Sequence, residues 1–200
     1  NIGLGVYAGS KISSGSDNIA LGTETMDKGN VTGDYNSAFG HKALYNLTEG
    51  MHNLAFGYRS AYNVQKGDYN IGIGSESLYS LTDGTENIGI GRKAGQSITT
   101  GKQNVAIGVS IMNSSAGITG RTNVGIGYYA LNKLTRGGSN VAIGNANLIE
   151  LNTGRGNISV GDGNLGKLTS GAFNTVLGEG NLRKNQYGRN NIVLGQKNME

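Results

Sequence analysis

Two carboxylates, Asp162 and Glu179, stand 17 positions apart. On adjacent turns of a regular repeat they would lie about 5 Å apart, the separation used by retaining glycosidases. No concave pocket and no further polar cluster is predicted around them, so they read as two solvated surface acids. The histidines, His41 and His52, have no partners for a nucleophilic triad. Cysteine is absent, and zinc therefore lacks a ligand set. A calcium-binding roll would repeat aspartate at fixed turns after paired glycines; here asparagine holds the fixed turn and the aspartates are scattered. The expectation is no catalysis, no cofactor and no metal.

Tyrosine is the other chemically suggestive residue. Tyr45, Tyr62 and Tyr79 recur at one position, 17 residues apart. A row of tyrosines suits a sugar, whose C–H face packs on the ring while hydroxyls bond outward. Arg59 and His41 come from the same stretch and would line such a patch. The competing reading is a ladder whose rings only stabilise one another. Threonines at Thr48, Thr82, Thr99, Thr135 and Thr169 also share a position, but Gln65, Ala116 and Asn152 interrupt the row, which argues against a flat lattice-matching surface.

The element that positions these residues is a short repeat. A word of the form Asn, apolar, small, apolar, Gly begins at Asn1, Asn18, Asn36, Asn53, Asn70, Asn87, Asn104, Asn123, Asn140, Asn157, Asn174 and Asn191. Successive copies are 17 residues apart except for one step of 18 and one of 19. Every copy after the first has glycine three positions before its asparagine, from Gly15 to Gly188. Within the word, apolar residues alternate as in Ile71–Gly72–Ile73, the period of a strand. Further apolar marks fall at Leu44, Leu78, Leu131, Leu148, Leu165 and Leu182, and at Leu47, Leu81, Ile98, Leu134, Leu151 and Leu168.

One such unit cannot bury its own apolar face, whereas units stacked at the strand spacing share a continuous core. The chain is therefore predicted to be all-β: a parallel β-solenoid, or β-roll, of about twelve 17-residue coils, roughly 55 Å long at about 4.8 Å per coil. Residues 1–200 form a single repeat array, read as a fragment of a longer fibre chain. The asparagines should stack as a ladder of amides. Thirty-six glycines and no proline fit regular turns in which every backbone donor enters a ladder.

The small residue at the centre of the word admits two readings. It faces an identical chain across a threefold axis, with Gly72, Gly89, Ala106, Gly125 and Ala142 at that axis, or it fits a tight single-chain coil. The longer interval should bulge outward near Asn113 to Gly117. The formal net charge is +4, with both signs taken as interspersed along the chain. That balance argues against a nucleic-acid partner, and no apolar run reaches the about 18 residues of a membrane span.

The stretches Asn104–Met112 (NVAIGVSIM), Asn70–Glu86 (NIGIGSESLYSLTDGTE) and Asn123–Ser139 (NVGIGYYALNKLTRGGS) resemble the tandem Asn-x-Ala-Ile-Gly repeats of phage tail-fibre proteins. They are also similar to the head repeats of trimeric autotransporter adhesins, which form a trimeric parallel β-roll. The likeness covers nearly the whole chain. The adhesin unit is shorter and lacks the segment seen at Leu78 to Thr82, which favours the fibre. The resemblance implies a homotrimer in the virion's tail fibre, contributing to host attachment through a surface glycan or outer-membrane receptor. The alternatives are an adhesin head on a bacterial surface and a polysaccharide-degrading tailspike.

Overall fold

The computed structural model describes residues 1–199. Each asparagine word starts a strand: β1 (Ile2–Leu4), β2 (Ile19–Leu21), β3 (Ser37–Phe39), β4 (Leu54–Phe56), β5 (Ile71–Ile73), β6 (Ile88–Ile90), β7 (Val105–Val109), β8 (Val124–Tyr128), β9 (Val141–Asn145), β10 (Ile158–Asp162), β11 (Thr175–Glu179) and β12 (Ile192–Gln196). They form one twelve-stranded sheet in chain order. Every neighbouring pair is parallel and in repeat register, for example Ile73 with Ile90 and Ile107 with Ile126. The chain is a β-solenoid, and its described residues contain no helix.

Asparagine is required because its side chain can donate and accept at once. The Nδ2 of Asn70 donates to Asn53 Oδ1 at 3.0 Å and to the Gly84 carbonyl at 2.9 Å. Its Oδ1 accepts from the backbone N of Asn87 at 3.0 Å and from Asn87 Nδ2 at 3.1 Å. The unit repeats along the rod, so each buried corner is satisfied by the coils above and below. The glycine three residues earlier leaves room for it: a Cβ on Gly67 would lie 3.1 Å from Asn70 Nδ2 and closer still to the Gly84 carbonyl.

The core lies inside each coil. Leu44, Leu78, Leu131, Leu148 and Leu165, with Leu47, Leu81, Ile98, Leu134, Leu151 and Leu168, are fully buried as predicted. Facing them from the strand is the small central residue, with Ala20, Ala38, Ala55, Ala106, Ala142 and Ser159 equally buried. This corrects the placing of Gly72, Gly89, Ala106, Gly125 and Ala142 at a threefold axis. All five are buried within the single chain, and what they meet is the interior of the solenoid, formed by their own coil and the neighbouring one. A Cβ on Gly125 would lie 2.5 Å from Ile111 Cγ2, and one on Gly89 would lie 2.8 Å from Leu78 Cγ. The residue is small in most coils because the solenoid is narrow, and only in the last two do the buried Val176 and Val193 take its place.

The large residues of the word therefore point outward, and the sheet carries a stripe of Ile, Leu, Val and Phe on its outer face. Phe56 is 57% exposed, Ile158 41% and Leu177 39%. The 19-residue interval bulges as expected: Ser115, Ala116 and Gly117 are exposed, and the bridge between Ile98 and Ile118 restores the stack.

Sequence reasoning missed a second amide ladder. Asn147, Asn164, Asn181 and Asn198 replace the small residue that follows the strand in the last coils. The backbone N of Asn164 donates to Asn147 Oδ1 at 3.0 Å, and Asn181 Nδ2 donates to Asn164 Oδ1 at 3.1 Å. Its signal, four asparagines 17 residues apart, was present in the sequence.

Candidate functional site

Stacking converts the 17-residue period into columns of side chains on the rod's surface. Tyr45, Tyr62 and Tyr79 form one such column, with ring centroids 5.1 Å apart at both steps and planes within 15° and 12° of parallel. All three are half-buried. The other two predicted residues join this column through a parallel one. The His41 ring stacks on Tyr58 at 5.6 Å. The Arg59 guanidinium lies 5.1 Å from the centre of the Tyr58 ring and 5.7 Å from that of Tyr62. Thus Tyr45, Tyr62, Tyr79, Arg59 and His41 form one continuous patch, with the exposed Tyr58 added.

Arg59 is distinctive within its own column. Above and below it, cross-coil ion pairs join Lys42 to Glu24 at 3.2 Å and Lys93 to Glu76 at 3.6 Å. The Glu24 hydrogen bond holds the Lys42 ammonium above the usual lysine range, against a smaller opposing effect of desolvation. Arg59 has no carboxylate partner among the described residues. Its Nε is buried without a hydrogen-bond acceptor, held between two ring faces that attract a cation through their quadrupoles. The arrangement offers a fixed guanidinium beside tyrosine hydroxyls, which suits a polar ligand carrying one flat apolar face.

A third aromatic column lies on the corner before each asparagine and was not anticipated. Tyr35, His52 and Tyr69 stack with centroids 4.9 Å and 4.7 Å apart and planes within 9° and 7° of parallel. His52, without partners in a catalytic reading, is here the middle of a ladder. The corner residues sit at positive φ, 58° at Tyr35 and 56° at both His52 and Tyr69, a left-handed bend repeated in every coil.

Two further columns are tied between coils by hydrogen bonds. The threonine hydroxyls donate to the next coil's carbonyls, Thr48 to Gln65 at 3.0 Å and Thr135 to Asn152 at 3.2 Å, which closes the stack. Asp162 and Glu179 are register partners on β10 and β11 and both are exposed. Asn145 Nδ2 donates to Asp162, and Gln196 Nε2 donates to Glu179. The described residues hold no group of three or more His, Cys, Asp or Glu side chains placed to bind a metal ion, and no helix long and apolar enough to cross a membrane.

Charge is less evenly spread than the interspersed pattern expected from the sequence. Residues 1–101 carry 7 basic and 9 acidic side chains, whereas residues 102–200 carry 10 and 4. No family model matches the chain, and neither does any curated protein or solved structure.

Proposed function

We propose that this chain is a structural and adhesive segment of a phage tail fibre that assembles from three identical chains and contributes to attachment at a host surface. The observation that carries the reading is the outer stripe of the sheet. Every coil presents at least one large apolar side chain there, in register from β1 to β12, with Ser37 and Thr175 the polar exceptions. A contiguous apolar strip about 50 Å long at the strand spacing is uncommon on a monomeric protein and marks an association surface.

Identical parallel rods arranged around an axis would each turn this stripe inward, a closed symmetric solution that leaves no apolar face in water. Completing the burial of one half-exposed Ile or Leu is worth about 1 kcal/mol. The gain repeats in every coil, so association strengthens with length. This assigns to the large residues of the word the role that sequence reasoning gave to the small ones. The surface left outside carries the tyrosine, arginine and histidine patch, suited to a host glycan.

An adhesin head on a bacterial surface would use the same stripe, and the longer coil with its Leu78 to Thr82 segment favours the fibre. A tailspike hydrolase draws little support from Asp162 and Glu179, which are exposed and hydrogen-bonded to neighbouring amides. Sedimentation equilibrium tests assembly directly: a trimer mass is expected, and Ile107→Asp combined with Ile126→Asp should convert it to monomer while the far-UV circular dichroism of the coil persists. A monomer mass for the unaltered chain would refute the proposal.

A further inference from the structure

Four of the ten basic side chains in the second half of the chain fall in one column. Two positions before each asparagine, the coils carry Lys102, Arg121, Gly138, Arg155, Ala172 and Arg189. Backbone bridges place Lys102 beside Arg121 and run from Gly138 through Arg155 and Ala172 to Arg189, so the register of this column is set by backbone pairing. All four basic side chains are exposed. None has an ion-pair partner among the described residues. Four unpaired cations along one edge raise the electrostatic potential there.

The last part of the column is shaped as well as charged. Arg155 and Arg189 flank the small Ala172, two coils apart and so about 10 Å from each other along the rod. Between them Phe173 projects from its corner at φ 57° and is 53% exposed. Its ring lies over Gly156, where a Cβ would be 2.7 Å from Cδ1. The Arg155 guanidinium sits 5.4 Å from the ring centre. These side chains, with Thr153 and Ser170, line a groove of about 310 Å³.

We infer that this column is a binding site for an acidic polysaccharide, its carboxylate, sulfate or phosphate groups received by Arg155 and Arg189 and one sugar ring laid against Phe173. Guanidinium groups match such oxyanions with paired donors. A free anion would meet one arginine at a time, because a whole coil separates the two. A linear polymer with regularly spaced charges can engage both and continue towards Arg121 and Lys102. A single-stranded nucleic acid would call for aromatic platforms at successive steps, and the positions equivalent to Phe173 in the coils on either side are Gly156 and Asn190. The inference rests on the attachment role proposed above, and it names the chemistry of a host or capsule polymer.

The test uses the full chain and isothermal titration with size-defined oligouronates, with neutral dextran oligomers and oligothymidylate as comparison ligands. Binding of the oligouronate is expected to weaken as salt rises. It should fall by about a hundredfold in the Arg155→Gln, Arg189→Gln double variant, roughly tenfold for each guanidinium–oxyanion pair removed. Lys133→Gln, removing a cation already paired with Glu150, should leave affinity unchanged. Equal affinity in the double variant, tighter binding of oligothymidylate, or no oligouronate binding would overturn the assignment. Sedimentation of the same samples separates the two proposals: a trimer that ignores oligouronate removes this site alone, whereas a monomer removes the fibre reading.

Discussion

Replacing Asn104 by alanine removes one rung of the amide ladder at the middle of the rod. The Asn104 side chain is fully buried. Its Nδ2 donates to Asn87 Oδ1 at 3.1 Å and to the Gly120 carbonyl at 2.9 Å, and its Oδ1 accepts from the backbone N and the Nδ2 of Asn123, both at 3.0 Å. Truncation leaves the Gly120 carbonyl and the Asn123 amide without partners. Asn123 Nδ2 still reaches the Gly137 carbonyl at 2.9 Å, and the Asn104 backbone N keeps its bond to Asn87 Oδ1 at 3.1 Å. Two orphaned buried groups at about 1–3 kcal/mol each give a loss of about 2–6 kcal/mol, a large share of the roughly 5–15 kcal/mol typical of a domain. In a solenoid the loss falls at the interface between neighbouring coils, so the Asn123 amide should exchange with deuterium much faster while distant coils keep their protection. Urea unfolding followed by circular dichroism measures the first quantity and hydrogen exchange the second. Asn63→Ala serves as the control, since its half-buried side chain only accepts from Asn46 at 2.9 Å. A loss under about 0.5 kcal/mol for Asn104→Ala, or one no larger than the control, would refute the assignment of inter-coil cohesion to this ladder.

Gly125→Ala should destabilise the coil by about 1–3 kcal/mol through overpacking against Ile111, read as a lower urea midpoint. Gly108→Ala should be worse, because φ there is 125° and the new methyl would also run into the Gly127 carbonyl of the next coil; circular dichroism would report partial loss of strand signal. Tyr62→Leu removes two ring stacks and the face that meets Arg59, a loss of about 1–2 kcal/mol. Unchanged stability with weakened oligosaccharide binding would show that the patch serves recognition alone. Glu24 and Glu49 hydrogen-bond Lys42 and Lys66 and hold both above the ordinary lysine value of 10.5. Their small contribution is therefore complete below pH 10.5 and is lost as pH rises through the raised values. Thermal midpoints measured against pH should show an alkaline step that Lys42→Met together with Lys66→Met abolishes.

What the amino-acid order determined by itself is the stack. A period of 17 with a fixed asparagine and fixed glycines admits one economical solution, because only superposed coils satisfy every backbone group and amide together. The same periodicity announced the tyrosine column, since residues one period apart must touch once coils are superposed. Alternation within Ile71–Gly72–Ile73 showed that the strand has two unlike faces, but period two is symmetric and does not say which face is inside. The tertiary structure decided that. In most coils Leu78 and its equivalents fill the interior and the strand contributes a residue as small as Gly72 or Ala106, with Val176 and Val193 taking that place in the last two. The outer apolar stripe, the joining of Arg59 and His41 to the tyrosines through Tyr58, and the arginine column around Phe173 all follow from that choice and from where each corner aims its side chain. Aim depends on backbone angles at Tyr35, Arg59 and Phe173, and residue type alone does not encode them.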